Sequence, residues 1–168
     1  MNPSGGLAID HELEGTMGTR SGLESTLVGV AGEYFVAAEL SIRGYLASIT
    51  LRNSRGIDII ASNADASRSV SIQVKTSSGS GPKWILTRKS ESFSGGNHYY
   101  VFVLLRGVGL RPDFYIVPSK IVAEYVSSTH SQWLAGTKAD GSPRKDSAIR
   151  NFRDPGNEYK EAWEMLNL

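Results

Sequence analysis

An aspartate stands inside an otherwise apolar run, Ile57-Asp58-Ile59-Ile60-Ala61. A carboxylate is a poor strand residue and is costly to desolvate without a partner. Downstream, Val70-Ser71-Ile72-Gln73-Val74-Lys75 alternates apolar and polar side chains. Such alternation is the mark of a strand with one buried face, and its period of two sets Gln73 and Lys75 side by side on the other face. Pairing the two segments as neighbouring strands gathers a carboxylate, an amide oxygen and an ammonium at one spot. That set suits a divalent cation and an activated water held against a phosphate. A plain ion pair from Asp58 to Lys75 would satisfy the same residues without chemistry.

The rest of the chain reads as one α/β domain over residues 23–168. Residues 1–22 are rich in Gly, Ser, Thr and acids without periodicity, the composition of a mobile tail. A helix is expected from Glu24 to Arg43, stopping at Gly44. Strand-like runs follow at Tyr45–Leu51, Ile57–Ser62, Val70–Lys75, Trp84–Thr87, Tyr99–Leu105 and Phe114–Val117. Asn53-Ser54-Arg55-Gly56 and Asn63-Ala64-Asp65 are turn material between them. Pro118-Ser119 opens a second helix to Trp133 with Ser119 as its cap, Thr137–Pro155 reads as polar loop, and a last short helix covers Asn157–Leu166.

On the first helix, Leu27, Ala31, Tyr34, Phe35, Ala38 and Ile42 form one broad apolar stripe, and Glu39 and Arg43 make an i,i+4 pair facing water. Glu33 belongs to neither. Its neighbours on the helical wheel are Gly29, Val36, Ala37 and Leu40, a second face that is small and apolar. A helix apolar on two sides lies between packed layers, so Glu33 is expected to be only partly solvated.

Composition excludes several classes. With 168 residues, 40% hydrophobic and 21% charged, the chain can bury a sizeable core and is not of disordered type. There is no cysteine, hence no disulfide framework and no thiolate zinc site. The start has neither a basic n-region nor an apolar h-region, and no stretch approaches a membrane span, so the expectation is a cytoplasmic protein with no membrane partner. His11, His98 and His130 lack metal-ligand spacing, and no nucleophile-elbow motif supports Ser-His-Asp catalysis. Ser77-Ser78-Gly79-Ser80-Gly81 lacks the lysine and the helix of a phosphate loop.

The net charge of +1 hides a gradient. Residues 1–50 hold six acids and two bases, and the remainder sixteen bases and eleven acids. The densest positive stretch carries Lys138, Arg144, Lys145, Arg150 and Arg153 against Asp140 and Asp146. Such a segment offers an electrostatic footing for phosphates, or is simply a solvated loop.

A helix with Glu33, then Arg55-Gly56-Ile57-Asp58-Ile59, then Ile72-Gln73-Val74-Lys75 resembles the PD-(D/E)XK nuclease superfamily, which includes restriction endonucleases and Holliday-junction resolvases. It is most similar to the branch in which glutamine replaces the second acid, the D…QxK form. The resemblance covers Glu24–Lys75 and extends more loosely through Tyr99–Leu105 and Asp113–Pro118. Two features depart from the family pattern. Thr76–His98 leaves room only for about two helical turns, near Arg88–Phe93, where the family places a full helix. The proline that often precedes the first acid is also absent.

The resemblance implies a restriction-endonuclease-like mixed sheet flanked by helices, and a Mg²⁺ (or Mn²⁺)-dependent endonuclease that hydrolyses DNA phosphodiesters, with RNA left open as a substrate. Its catalytic set would be Glu33, Asp58, Gln73 and Lys75. Asp58, the Gln73 amide oxygen, the Val74 carbonyl and Glu33 would hold the metal, a hard ion that needs few protein carboxylates. Lys75 would stabilise the nascent hydroxide and the transition state. DNA would rest on Lys83, Arg88, Lys89, Lys138, Arg144, Lys145, Arg150 and Arg153. Cutting two strands implies a homodimer, with Trp133, Trp163, Met165 and Leu166 as interface candidates. The alternative is an inactive module of the same fold that binds nucleic acid or protein.

Overall fold

The structure, a computed structural model, describes residues 24–51 and 56–168. The tail expected over 1–22 and the Asn53–Arg55 part of the first turn lie outside the described residues. The elements are α1 (Ser25–Ile42), β1 (Leu46–Ile49), β2 (Ile59–Ser62), β3 (Ser69–Ser77), β4 (Lys83–Thr87), β5 (His98–Leu104), β6 (Asp113–Pro118), α2 (Ser119–Leu134) and β7 (Ile149–Arg153). Single 3₁₀ turns occupy Arg88–Glu91 and Trp163–Leu166.

Five strands form one mixed sheet in the order β1-β2-β3-β5-β6, in which β3 and β5 run parallel and the other neighbours antiparallel. The mixed α/β architecture expected from the sequence is the one found. The expected pairing of the Asp58 and Gln73 segments is present, with Ile59 opposite Ile72 and Ala61 opposite Val70. β4 and β7 make a separate two-stranded ribbon.

The alternation read along β3 divides the core in two. Val70, Ile72 and Val74 face α1, where they pack with Val36, Leu40, Val101, Phe114 and Trp163. On the other face, Tyr100, Phe102, Leu104 and Tyr115 pack under α2 and the ribbon, against Val122, Val126, Trp84 and Phe152. Phe102 stacks on Phe152 at 4.5 Å, and the Trp84 indole N–H donates to the Val103 carbonyl at 2.9 Å, so this bulky side chain is buried with its polar atom satisfied.

Helix α1 corrects the expected face. Its buried residues are Val28, Gly32, Val36 and Leu40, whereas Leu27, Tyr34, Phe35 and Ile42 of the broad stripe are 41–80% exposed. The reason is distance. A Cβ at Gly32 would lie 1.9 Å from Thr76 Oγ1, so helix and strand approach too closely for a large side chain in the seam. The helix ends as expected: Gly44 takes a φ of +86° and the Tyr45 N–H reaches back to Leu40 O at 3.1 Å, a Schellman closure.

Three further expectations change. Ser119 does not cap α2; it is fully buried, and its hydroxyl accepts the Gly95 N–H at 3.0 Å, tying the β5 entry loop to the helix. Of the polar stretch Thr137–Pro155, Ile149–Arg153 is a strand, because β4 offers it a partner distant in sequence. The final helix shrinks to Trp163–Leu166, since Asn157 and Glu161 adopt left-handed backbone. Among the described residues no helix is long and apolar enough to cross a membrane.

Candidate metal and phosphate site

β2 ends at Ile59 on this side, but β3 runs on to Ser77, so among the described residues Val74–Ser77 has no strand beside it on the β2 side. Asp58 stands at that step. Its N–H donates to Ile72 O at 2.9 Å, and its carbonyl accepts the Thr50 N–H at 2.9 Å, fixing its backbone from both sides. This extends the ladder by one residue and sets Asp58 opposite Gln73. Its Oδ2 then accepts the N–H of Val74 at 2.7 Å, doing for β3 what a next strand residue would have done. The partner that the sequence demanded for this acid is therefore a backbone amide, and no Asp58–Lys75 ion pair is formed.

The N–H and C=O of one strand residue point to the same side. The Val74 carbonyl thus faces the open edge at which Asp58 sits. Gln73 and Lys75 are registered with Tyr100 and Phe102, so both side chains lie on the α2 face. Lys75 lines a cleft of about 500 Å³ with Ser77, Gly79, Gly81 and Lys83. Gly56, at a φ of +70°, turns the chain into this corner; a Cβ there would be 3.2 Å from the Phe93 ring and 3.5 Å from Gln73 Nε2. Asp58, Gln73 and Lys75 are all half-buried.

Beneath the site lies Tyr100, 1% exposed. Burial pushes its phenol above the ordinary range, a hydrogen bond from Ser90 draws it back, and the nearby charge of Asp58 adds to the rise. In the sequence Tyr100 is only one residue of the strand-like run Tyr99–Leu105, with no signal that it borders the candidate site.

Glu33 arrives differently. It follows Gly32, which rests on Thr76 of β3, and it is half-buried on α1. α1 covers the Val74 face, the one opposite Gln73 and Lys75. Asp58, Val74, Gln73 and Lys75 are thus brought together along one edge, and Glu33 stands over the opposite face.

Among the described residues no three His, Cys, Asp or Glu side chains gather into a metal cage. The donors at the edge are a carboxylate, a backbone carbonyl and a side-chain amide. This is a hard, sparse oxygen set, which fits a cation that keeps most of its waters, as Mg²⁺ does.

The expected phosphate-binding residues fall into two groups. Lys83, Lys89, Lys138, Lys145 and Arg153 are exposed. Arg150 is 4% exposed on the inner face of β7, bonded to Glu91 and to Ser147 O at 2.7 Å; strand alternation turned it inward, so it offers nothing to a phosphate. Arg88 pairs with Asp146 at 2.5 Å, and Arg144 donates to Trp133 O at 2.8 Å while lying over its ring. Of the interface candidates, Trp163 and Leu166 are buried in the α1-side core with Met165 packed against them, and Trp133 is 43% exposed.

No protein-family model matches the chain, and no curated protein does. Among solved structures, the bacterial homing endonuclease I-Ssp6803I is similar over 86% of this chain and 92% of its own, with a TM-score of 0.52 at 12% identity. Hjc, a Holliday junction resolvase from the archaeal hyperthermophile Archaeoglobus fulgidus, is similar over 75% of this chain and 84% of its own, with a TM-score of 0.43 at 17% identity. The chain shares its fold, a mixed sheet flanked by helices, with the homing endonuclease structure.

Proposed function

We propose that this chain is a divalent-metal-dependent endonuclease that hydrolyses DNA phosphodiesters. The carrying observation is Asp58, whose carboxylate is anchored by one oxygen on the Val74 N–H at an open strand edge, with Gln73 opposite and Lys75 two residues further along the strand. Asp58, the Val74 carbonyl and the Gln73 amide would hold Mg²⁺ or Mn²⁺, and Glu33 would reach round the edge as a ligand or as a hold on its waters. When bound, such an ion lowers the pKa of a coordinated water and offsets charge on the phosphate.

The protein's own residues supply the rest. Asp58 is oriented before any ligand arrives, because its backbone is bonded to Thr50, just past β1, and to β3, and its side chain to β3. Lys75 puts a cation in the cleft where negative charge builds on the phosphoryl oxygens as water adds and the P–O bond breaks. Gln73 contributes an oxygen without charge, so the site has one negative charge fewer than a D…ExK site, and metal affinity is expected to be weaker.

Cleavage of plasmid, single-stranded and branched DNA with and without Mn²⁺ tests the reading, beside Mn²⁺ titration of the wild type and Asp58→Ala. Metal-dependent cleavage and metal binding, both lost in the variant, are expected. DNA binding indifferent to metal, with no cleavage, would leave the fold as a nucleic-acid clamp.

A further inference from the structure

The β4–β7 ribbon has two unlike faces. Trp84, Leu86, Arg150 and Phe152 point inward and are at most 4% exposed. Outward point Lys83, Ile85 and Thr87 from β4 and Ile149, Asn151 and Arg153 from β7. This outer face carries no acid. Lys83 and Arg153 sit opposite each other at one end, and Lys83 lines the same cleft as Lys75. Ile85 and Ile149 are 70% and 56% exposed and belong to neither half of the core, and Asn151 is the cross-strand partner of Ile85. Beside β7, a concavity of about 480 Å³ lined by Tyr125, His130, Trp133, Asn151 and Arg153 continues the surface.

Resting on the nuclease reading above, we propose that this outer face is the base-reading surface and enters the major groove of duplex DNA. The dimensions agree. A B-form major groove, ~12 Å wide, admits a two-stranded ribbon. Lys83 to Thr87 spans ~13 Å at ~3.3 Å per residue, about four base steps of duplex. The charge is complementary: Lys83 and Arg153 meet phosphates next to the Lys75 cleft, and the neutral remainder of the face meets base edges. An Asn side chain pairs with adenine through N6 and N7, and an exposed aliphatic group packs on a thymine methyl. Strand alternation spaces the readers about two base steps apart.

Selection of binders from a random duplex DNA pool by the full chain in EDTA, where no cleavage competes, tests this. The wild type is expected to enrich a motif. Asn151→Ala and Ile85→Ala should each flatten it at adjacent positions within about four base pairs, by roughly tenfold for Asn151, with weak affinity for other sequences kept. Lys83→Gln with Arg153→Gln should weaken binding to all sequences and reduce the slope of log affinity against log salt by about 1.8. Melting curves guard against misfolding, and Ile85 and Lys83, both exposed, give variants that disturb no packing. An unchanged motif in both base-reader variants, an unchanged salt slope in the double variant, or equal competition by an RNA duplex, whose major groove is too narrow to read, would each overturn the proposal. A chain that cuts DNA yet gives those results loses only the ribbon assignment. One that neither binds nor cuts DNA loses both.

Discussion

Asp58 and Asp154 are both carboxylates answering backbone amides, and they differ in what is left over. Asp154, 5% exposed, accepts the Glu158 N–H on one oxygen and the Tyr159 N–H on the other, each at 2.9 Å. Both oxygens are used, and the result is a closed loop. Asp58 accepts one N–H, from Val74, at a strand edge that no strand among the described residues covers. Among the described residues its Oδ1 has no hydrogen bond. A fully engaged carboxylate is a fastening; a half-engaged one at an open edge is, on the proposed function, a ligand already aimed.

The sharpest way to break this contrast is to delete each acid in turn. Asp58→Ala is expected to lower metal-stimulated cleavage by on the order of a thousandfold, the several kcal/mol that an ion contributes to phosphoryl chemistry. Its melting temperature should move little. Lys75→Ala should reduce turnover roughly a hundredfold with Mn²⁺ affinity kept, because its charge acts in the transition state; a wild-type rate would remove its assigned role. Asp154→Ala should do the opposite of Asp58→Ala. It orphans two amides, costing about 2–3 kcal/mol and several degrees of melting temperature, with cleavage per folded molecule retained.

A smaller effect tests the wall behind the site. Gly32→Ala places a methyl against Thr76, and overpacking of this kind costs about 1–3 kcal/mol, read by denaturant titration. If Glu33 serves the site, cleavage should fall further than the loss of folded protein explains, since the helix that carries it must shift.

His98 sharpens the comparison from another side. It too has one engaged and one idle atom: Ser71 Oγ lies 2.9 Å from Nδ1, and the buried Nε2 has no partner among the described residues. Yet it is 6% exposed and flanked by the Phe93 and Tyr100 rings, away from the open edge. Burial lowers its proton affinity below the ordinary 6.5, so below that pH the unfolded chain binds more protons than the folded one. Stability is therefore present above about pH 6.5 and is lost as pH falls. Thermal melts at pH 7.5 and 5.5 should show the drop, and His98→Gln should lessen it.

Much of this was readable in the residues. The alternation Val70–Lys75 and the misplaced Asp58 gave the strand pairing and brought three residues of the candidate site to one edge, since period-two patterning fixes which side chains share a face. The seam of α1 was not legible. Periodicity reveals two apolar faces but not how near a strand will come, and the Gly32–Thr76 approach decided between them. β7 was hidden for a different reason. Ile149-Arg150-Asn151-Phe152-Arg153 does not alternate apolar with polar, since its two apolar residues fall on opposite faces and the other three are polar or charged, and only pairing with β4 makes it a strand. Arg150 was misplaced with it, for in a loop it would have faced water.

That pairing joins residues 62 to 70 positions apart in the chain, a span far longer than that of any hairpin. Contacts so distant carry a high closure entropy and form only once much else is in place. A chain ending before Ile149 would thus lose one of the two strands rather than an appendage. It would remove Phe152 from beside Trp84 and Phe102, and Ile149–Arg153 has to be synthesised before that side of the core can close.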